Sequence, residues 1–137
     1  MKIYVTKEDE KKIENFENIS LRNFDNQIKE VIANSCDTIV ADEVVDFLSK
    51  EDANKLLNAL CSKLRKNGEL VVTGIDLGVV SRNVISGVIN EEQYSSIIAY
   101  RGSLHFSHSI VGFLKTLNLT IETCKIEGIK YDITAKR

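Results

Sequence analysis

Between Glu51 and Lys66, Leu56, Leu57, Leu60 and Leu64 recur at three- and four-residue intervals, the spacing that places side chains on one face of an α-helix. Ser49 with Asp52 resembles a capping box at its start, and Asn67-Gly68 follows a basic last turn as a left-handed stop. The chain then runs directly into Glu69-Leu70-Val71-Val72-Thr73-Gly74-Ile75, a short β-branched run that reads as a central strand with both faces covered. A helix with one apolar face delivered into a buried strand restricts the chain to α/β architectures.

The flanking segments fit that frame. Lys2–Val5 and Asn18–Leu21 read as short strands, and Thr38–Ala41 as a buried one. Phe24, Ile28, Val31 and Ile32 predict a helix over Phe24–Ala33, and Val44, Val45, Phe47 and Leu48 a short helical turn. Tyr94, Ile97 and Ile98 suggest a helix after Asn90. Ser107 is expected to cap another that carries Ile110, Val111, Phe113, Leu114 and Leu117. Gly128 divides two strand-like runs, and Ile129, Tyr131, Ile133 and Ala135 alternate with polar residues, as in an antiparallel hairpin. The sum is β, β, α, β, α, β, α and a hairpin: a mostly parallel sheet with an antiparallel edge. With 137 residues, 43% of them hydrophobic, the chain has the length and apolar content of one domain, 1–137, around one core.

Charge and cysteine usage narrow the function classes. A formal net charge of -2 gives no general attraction to nucleic acid or to an anionic membrane. No apolar run approaches the roughly 20 residues that cross a bilayer, and the first residues are too polar for a signal peptide, so a soluble, cytoplasmic protein is expected. Cys36, Cys61 and Cys124 form no C-x-x-C pair and sit in apolar, periodic segments, which predicts reduced, buried thiols. His105 and His108, three residues apart without a third ligand nearby, make a poor zinc site.

The run from Asp37 to Leu77, "DTIVADEVVDFLSKEDANKLLNALCSKLRKNGELVVTGIDL", resembles the second half of a class I S-adenosylmethionine-dependent methyltransferase. In that family a strand opening with Asp-x-Ile leads to a Val-Leu-Glu-His-Leu-like turn. A leucine-rich helix, Lys-Pro-Gly-Gly and a buried strand ending in Pro-Asp-Leu follow. The matching residues here are Asp37–Ile39, Val44–Leu48, Lys66–Glu69 and Ile75–Leu77, and the segment from His105 to Thr123 is similar to the family's last helix and the start of its closing hairpin. The resemblance implies a Rossmann-like sheet, shortened in its N-terminal half, whose first four strands lie side by side in the order second, first, third, fourth.

Small members of the family follow their first strand with Gly-Cys-Gly and end the second near an acidic residue that binds the ribose. Here the first turn is Thr6-Lys7-Glu8-Asp9 and the second strand ends in Ser20-Leu21. Glycines in such a turn let backbone N–H groups approach a ligand closely, and a side chain fills that space. Thr6, Lys7, Glu8, Ser20 and Asp42 therefore occupy cofactor positions in degenerate form. Asp46-Phe47 stands where the family often has Glu-His, and a chain without proline cannot carry Asn/Asp-Pro-Pro-Tyr. The resemblance thus implies a methyltransferase-like module without a cofactor, acting in assembly or regulation; the alternative is a working S-adenosylmethionine enzyme with a rebuilt first turn.

For catalysis, Asp76 at the carboxyl end of a central strand lies where open α/β sheets bind ligands, with Gly74 and Gly78 beside it. His105 is the second candidate, as a base, with Arg101 as an anion contact. The charged run Glu8-Asp9-Glu10 reads as a solvated loop or a short helix. Only about a dozen residues, Thr6 to Glu17, join the first two strands, near the minimum for a parallel crossover. One face of the sheet is then left partly bare, which predicts a partner protein over it, a second copy of the chain first.

Overall fold

The computed structural model describes residues 1–8 and 12–137; residues 9–11, and with them most of the charged run, lie outside the described residues. β1 (Lys2–Thr6) and β2 (Glu17–Ser20) lead through a 3-10 turn (Leu21–Asn23) to α1 (Phe24–Glu30). β3 (Cys36–Asp42), a 3-10 turn (Val44–Phe47), α2 (Lys50–Lys63) and β4 (Leu64–Ile75) follow, then α3 (Leu77–Ile85), α4 (Glu91–Arg101) and α5 (Ser107–Thr116). A hairpin of β5 (Thr120–Glu127) and β6 (Lys130–Lys136) closes the chain. The six strands form one sheet in the order β2-β1-β3-β4-β6-β5. It is parallel from β2 to β4 and antiparallel where β6 meets β4 and β5. The first four strands take the order that the resemblance implies.

Connection handedness decides where the core goes. The β2-to-β3 and β3-to-β4 connections step across the sheet in the same direction, so right-handed crossovers put α1 and α2 on one face. There Ile3, Ile39, Leu70 and Ala135 stand in register, as do Val5, Ala41, Val72 and Ile133, all fully buried. Ile28 of α1, Leu57 and Leu60 of α2 and Leu114 of α5 belong to the same hydrophobic cluster. The β1-to-β2 step runs the other way, and Phe16, just before β2, lies against Tyr4 on the opposite face.

That opposite face is only partly covered. Its central row, Asn18, Tyr4, Val40, Val71 and Thr134, is half-buried throughout. Phe16 stands edge-on to Tyr4, ring centroids 5.8 Å apart, with the Lys2 ammonium 5.9 Å from the Phe16 ring. β4 is therefore buried on one face and not, as its sequence suggested, on both.

Other differences from the sequence reading have local causes. α2 ends at Lys63, because Leu64 turns extended (φ -67°, ψ 134°) to pair with Cys36. Asn67 does adopt a left-handed conformation (φ 65°), but inside an irregularity of β4 rather than as a helix stop. Gly68 lies so close to the Cys36 carbonyl that a Cβ would stand 2.7 Å from its oxygen. α1 stops at Glu30, with Val31 extended and its carbonyl accepting from the Lys63 ammonium at 2.8 Å, so Ile32 points to solvent. β2 ends at Ser20, and Leu21 opens the 3-10 turn instead of closing the strand. Leu77–Ile85 is a helix that the sequence does not advertise: Val79, Val80, Val84 and Ile85 are β-branched and of low helix propensity.

Ser107 is the first residue of α5 and not its cap; Phe106 holds that position without a side-chain bond. Among the cysteines, Cys36 and Cys61 are buried and burial pushes both thiols up, but Cys124 is exposed. It lies on β5, an edge strand almost entirely in contact with water. In the native protein Ellman's reagent should therefore titrate Cys124 at once, with Cys36 and Cys61 reacting only after unfolding. Three fast thiols, or none, would contradict this packing.

Candidate functional site

The first turn closes on itself. The Thr6 hydroxyl donates to the Glu8 carbonyl at 2.7 Å. The Lys7 ammonium stands 4.2 Å from the centroid of the Phe47 ring and 4.7 Å from that of Tyr100, within the range of cation–π attraction. Phe47 comes from the 3-10 turn after β3 and Tyr100 from the last turn of α4, and their rings meet edge to face at 5.5 Å. The hollow left among Thr6, Lys7, Glu8, Glu43, Phe47 and Tyr100 measures about 120 Å³.

The remaining cofactor positions are engaged locally. The Ser20 hydroxyl caps the 3-10 turn by accepting from the Asn23 N–H at 3.4 Å, and its own N–H donates to Gln27 Oε1 at 3.3 Å. Asp42 accepts from the Tyr4 hydroxyl at 2.6 Å and from the Thr73 hydroxyl at 3.2 Å.

Both catalytic candidates serve structure. Asp76 caps α3 by accepting from the Val79 N–H at 3.0 Å, and its second oxygen takes the Ser107 N–H, at the start of α5, also at 3.0 Å. One carboxylate thus satisfies the open ends of two helices. Burial works to raise its pKa, but hydrogen bonds from the Ser107 hydroxyl and from the N–H groups of Val79, Ser107 and Gly78 prevail and lower it. His105 is buried, its Nε2 at 2.9 Å from the Val45 carbonyl and 3.0 Å from that of Leu48. Its backbone carbonyl accepts from the Leu77 N–H at 2.9 Å, so Asp76 and His105 stand side by side as paired backbone. His108 stacks on Phe106 at 4.8 Å. No group of three or more His, Cys, Asp or Glu suited to a metal occurs among the described residues.

Asp46, which the sequence singled out only as a departure from the family turn, is the most perturbed carboxylate at this edge. It is fully buried, and its Oδ2 accepts from Arg101 Nη1 at 2.7 Å and from the Ile75 N–H at 3.1 Å. Arg101 also reaches Glu43 at 3.5 Å, and Glu43 pairs with Lys130 at 2.9 Å. The Asp46 carbonyl takes the Ser103 N–H at 3.0 Å. These bonds tie down the end of α4, a helix that buries none of its own residues fully.

Gly74 makes room for the pair beneath. A Cβ there would stand 2.7 Å from Asp46 Oδ1 and 2.5 Å from the Tyr131 hydroxyl, two buried atoms that find no hydrogen-bond partner among the described residues. Burial pushes the Asp46 carboxyl up to about 6, against the opposing pull of the Ile75 N–H and Arg101. Burial, and then the Asp46 charge, raises the Tyr131 phenol. A carboxyl near 6 has a value suited to proton transfer, yet this one is sealed from solvent.

Solved structures share this architecture. An O-methyltransferase family protein from Burkholderia thailandensis superposes with a TM-score of 0.66 over 89% of this chain at 12% identity. Human N-acetylserotonin methyltransferase, solved with S-adenosylmethionine, gives 0.64 over 99% at 14% identity. A SAM-dependent methyltransferase from Archaeoglobus fulgidus gives 0.58 over 90% at 15% identity. The chain spans 36%, 40% and 68% of those three proteins, respectively. No family model and no curated protein sequence matches it. The chain has the class I methyltransferase-like Rossmann fold. No helix among the described residues is long and apolar enough to cross a membrane.

The folded pKa of Asp46, about 6, lies above the unfolded value of roughly 3.9, so the stability it contributes is present at low pH and lost as pH rises through 6. Lowering the pH from 7.5 to 4.5 should stabilise the wild type by about 2 kcal/mol more than Asp46→Asn. Urea unfolding of both proteins at each pH measures it, and parallel pH profiles would show that Asp46 carries no such penalty.

Proposed function

We propose that this chain is a methyltransferase-like module that does not use S-adenosylmethionine and acts in assembly or regulation. The observation that carries this reading is the Lys7 ammonium seated on Phe47 and Tyr100, in the space beyond β1 where the fold would take an adenosyl ligand. The hollow beside it holds about 120 Å³, below the roughly 300–1,000 Å³ of ordinary small-molecule sites, although on the Ser20 side of Thr6 and Glu8 a separate hollow of about 320 Å³ is open. Ser20, at the position of the ribose-binding acid, spends its hydroxyl on a helix cap. Asp76 and His105, the residues best placed for catalysis, are committed to the backbone of neighbouring elements.

A second reading, a working enzyme with a rebuilt first turn, draws on the neighbours solved with S-adenosylmethionine or S-adenosylhomocysteine bound. Calorimetric titration with both ligands separates the two. Silence up to about 1 mM is expected of the module, whereas a micromolar dissociation constant would establish the enzyme.

Such a module meets its partner, on this proposal, through the half-covered sheet face, and the partner is a second copy. Over β1, β3, β4 and β6, Lys2, Lys130 and Lys136 there are balanced by Asp42, Glu69 and Asp132, so no net charge opposes a two-fold contact. Light scattering should then give twice 15.4 kDa, and substituting Val40 and Val71 together by lysine should return the mass to one chain. A wild-type monomer at tens of micromolar, a concentration at which functional dimers ordinarily persist, would refute the contact.

A further inference from the structure

The two rings that receive Lys7 are held in place without it. Phe47 follows Asp46, whose carboxylate is fixed by the Ile75 N–H and Arg101. Tyr100 precedes Arg101, which is bound to Asp46 and Glu43 and lies 5.8 Å from the Tyr100 ring. The rings also touch each other. Lys7 reaches them from a turn whose Thr6–Glu8 bond involves neither ring. The cage is thus built from behind by a buried ion pair, and the cation is its separable part.

We propose that Phe47 and Tyr100, in a hollow that Glu8, Asp42 and Glu43 also line, form a binding site for an alkylammonium group, and that Lys7 is its internal occupant. Aromatic faces attract a cation through their quadrupole, and quaternary ammonium groups are their best-known guests. A primary ammonium is strongly hydrated, so a methylated amine gives up less water on entering and is the chemistry able to displace Lys7. Tyr100 is 58% exposed, which leaves the cage open to a ligand from outside. The guest is either a free methylated amine or the methylated lysine side chain of a partner protein. The site rests on the reading that Lys7 and the rings fill the space of an adenosyl ligand, but its readout is amine binding at the two rings, so it can fail while the cofactor titration stays silent.

The test compares the wild type with Lys7→Ala, adding tetramethylammonium chloride or a short peptide carrying one trimethyllysine, against sodium chloride at equal ionic strength, while the aromatic proton resonances are followed. Lys7→Ala should show saturable shifts confined to Phe47 and Tyr100, at least tenfold tighter than the wild type, in which the tethered lysine competes. Adding Phe47→Ala and Tyr100→Ala should abolish binding, read in that variant from the line width of the ligand's N-methyl resonance. Tighter binding of the peptide than of tetramethylammonium would identify the guest as a protein side chain, and equal binding a free amine. Shifts no larger than with sodium, or saturable broadening of the ligand's N-methyl resonance that survives removal of both rings, would overturn the proposal. If Lys7→Ala fails to fold, the wild type still decides: the Lys7 ε-methylene protons should be displaced upfield by the rings, and ordinary lysine shifts would mean that the cage does not exist.

Discussion

Right-handed connection between parallel strands is the constraint on which the rest of this structure depends. Two of the crossovers step one way across the sheet and one steps the other way, so α1 and α2 share one layer and the β1-to-β2 step turns to the reverse face. The ten positions between β1 and β2 are near the minimum for a parallel crossover. The consequence reaches the carboxyl edge. A first connection of this length keeps Thr6, Lys7 and Glu8 close to the strand ends, and Lys7 meets the rings that the 3-10 turn and α4 bring over the same edge.

The main elements were legible because burial on one face leaves a period in the sequence. The leucines of α2 and the alternation in β6 name the surface they bury, whereas the β-branched run of β4 marks a strand without telling that only one of its faces is fully covered. What stayed hidden depends on partners distant in the chain. Nothing near Leu64 says that it will leave the helix to pair with Cys36, and nothing near Cys124 says that its strand will lie at the edge of the sheet. α3 was masked by its own valines, although Asp76 three residues before Val79 is an ordinary capping signal.

The position of the candidate residues was legible, and their hydrogen-bond partners were not. Thr6, Lys7, Glu8, Ser20, Asp42, Asp76 and His105 are all found at or near the carboxyl ends of the strands, where the resemblance puts them. Residue type shows that a side chain can act on a ligand, but only geometry shows whether its hydrogen bonds are already spent. Asp46 is the converse case. Its sequence context marks a helical turn, and its burial arises from Gly74 and Tyr131 on two other strands and from Arg101 on α4.

Magnitudes order the obstacles to an adenosyl ligand at this edge. Lifting Lys7 off two partly exposed rings costs about 1–2 kcal/mol, and opening the Thr6–Glu8 hydrogen bond about 1 kcal/mol more. Together these amount to roughly two decades of affinity. Replacing an acidic ribose acceptor by a serine that already caps a helix forfeits two charge-assisted bonds of about 1.5–3 kcal/mol each, or roughly two to four decades. The missing acceptor therefore weighs at least as much as the lysine plug. On the proposed reading the sugar acceptor is the larger loss, and a lysine can then settle on the aromatic pair at no cost to a ligand.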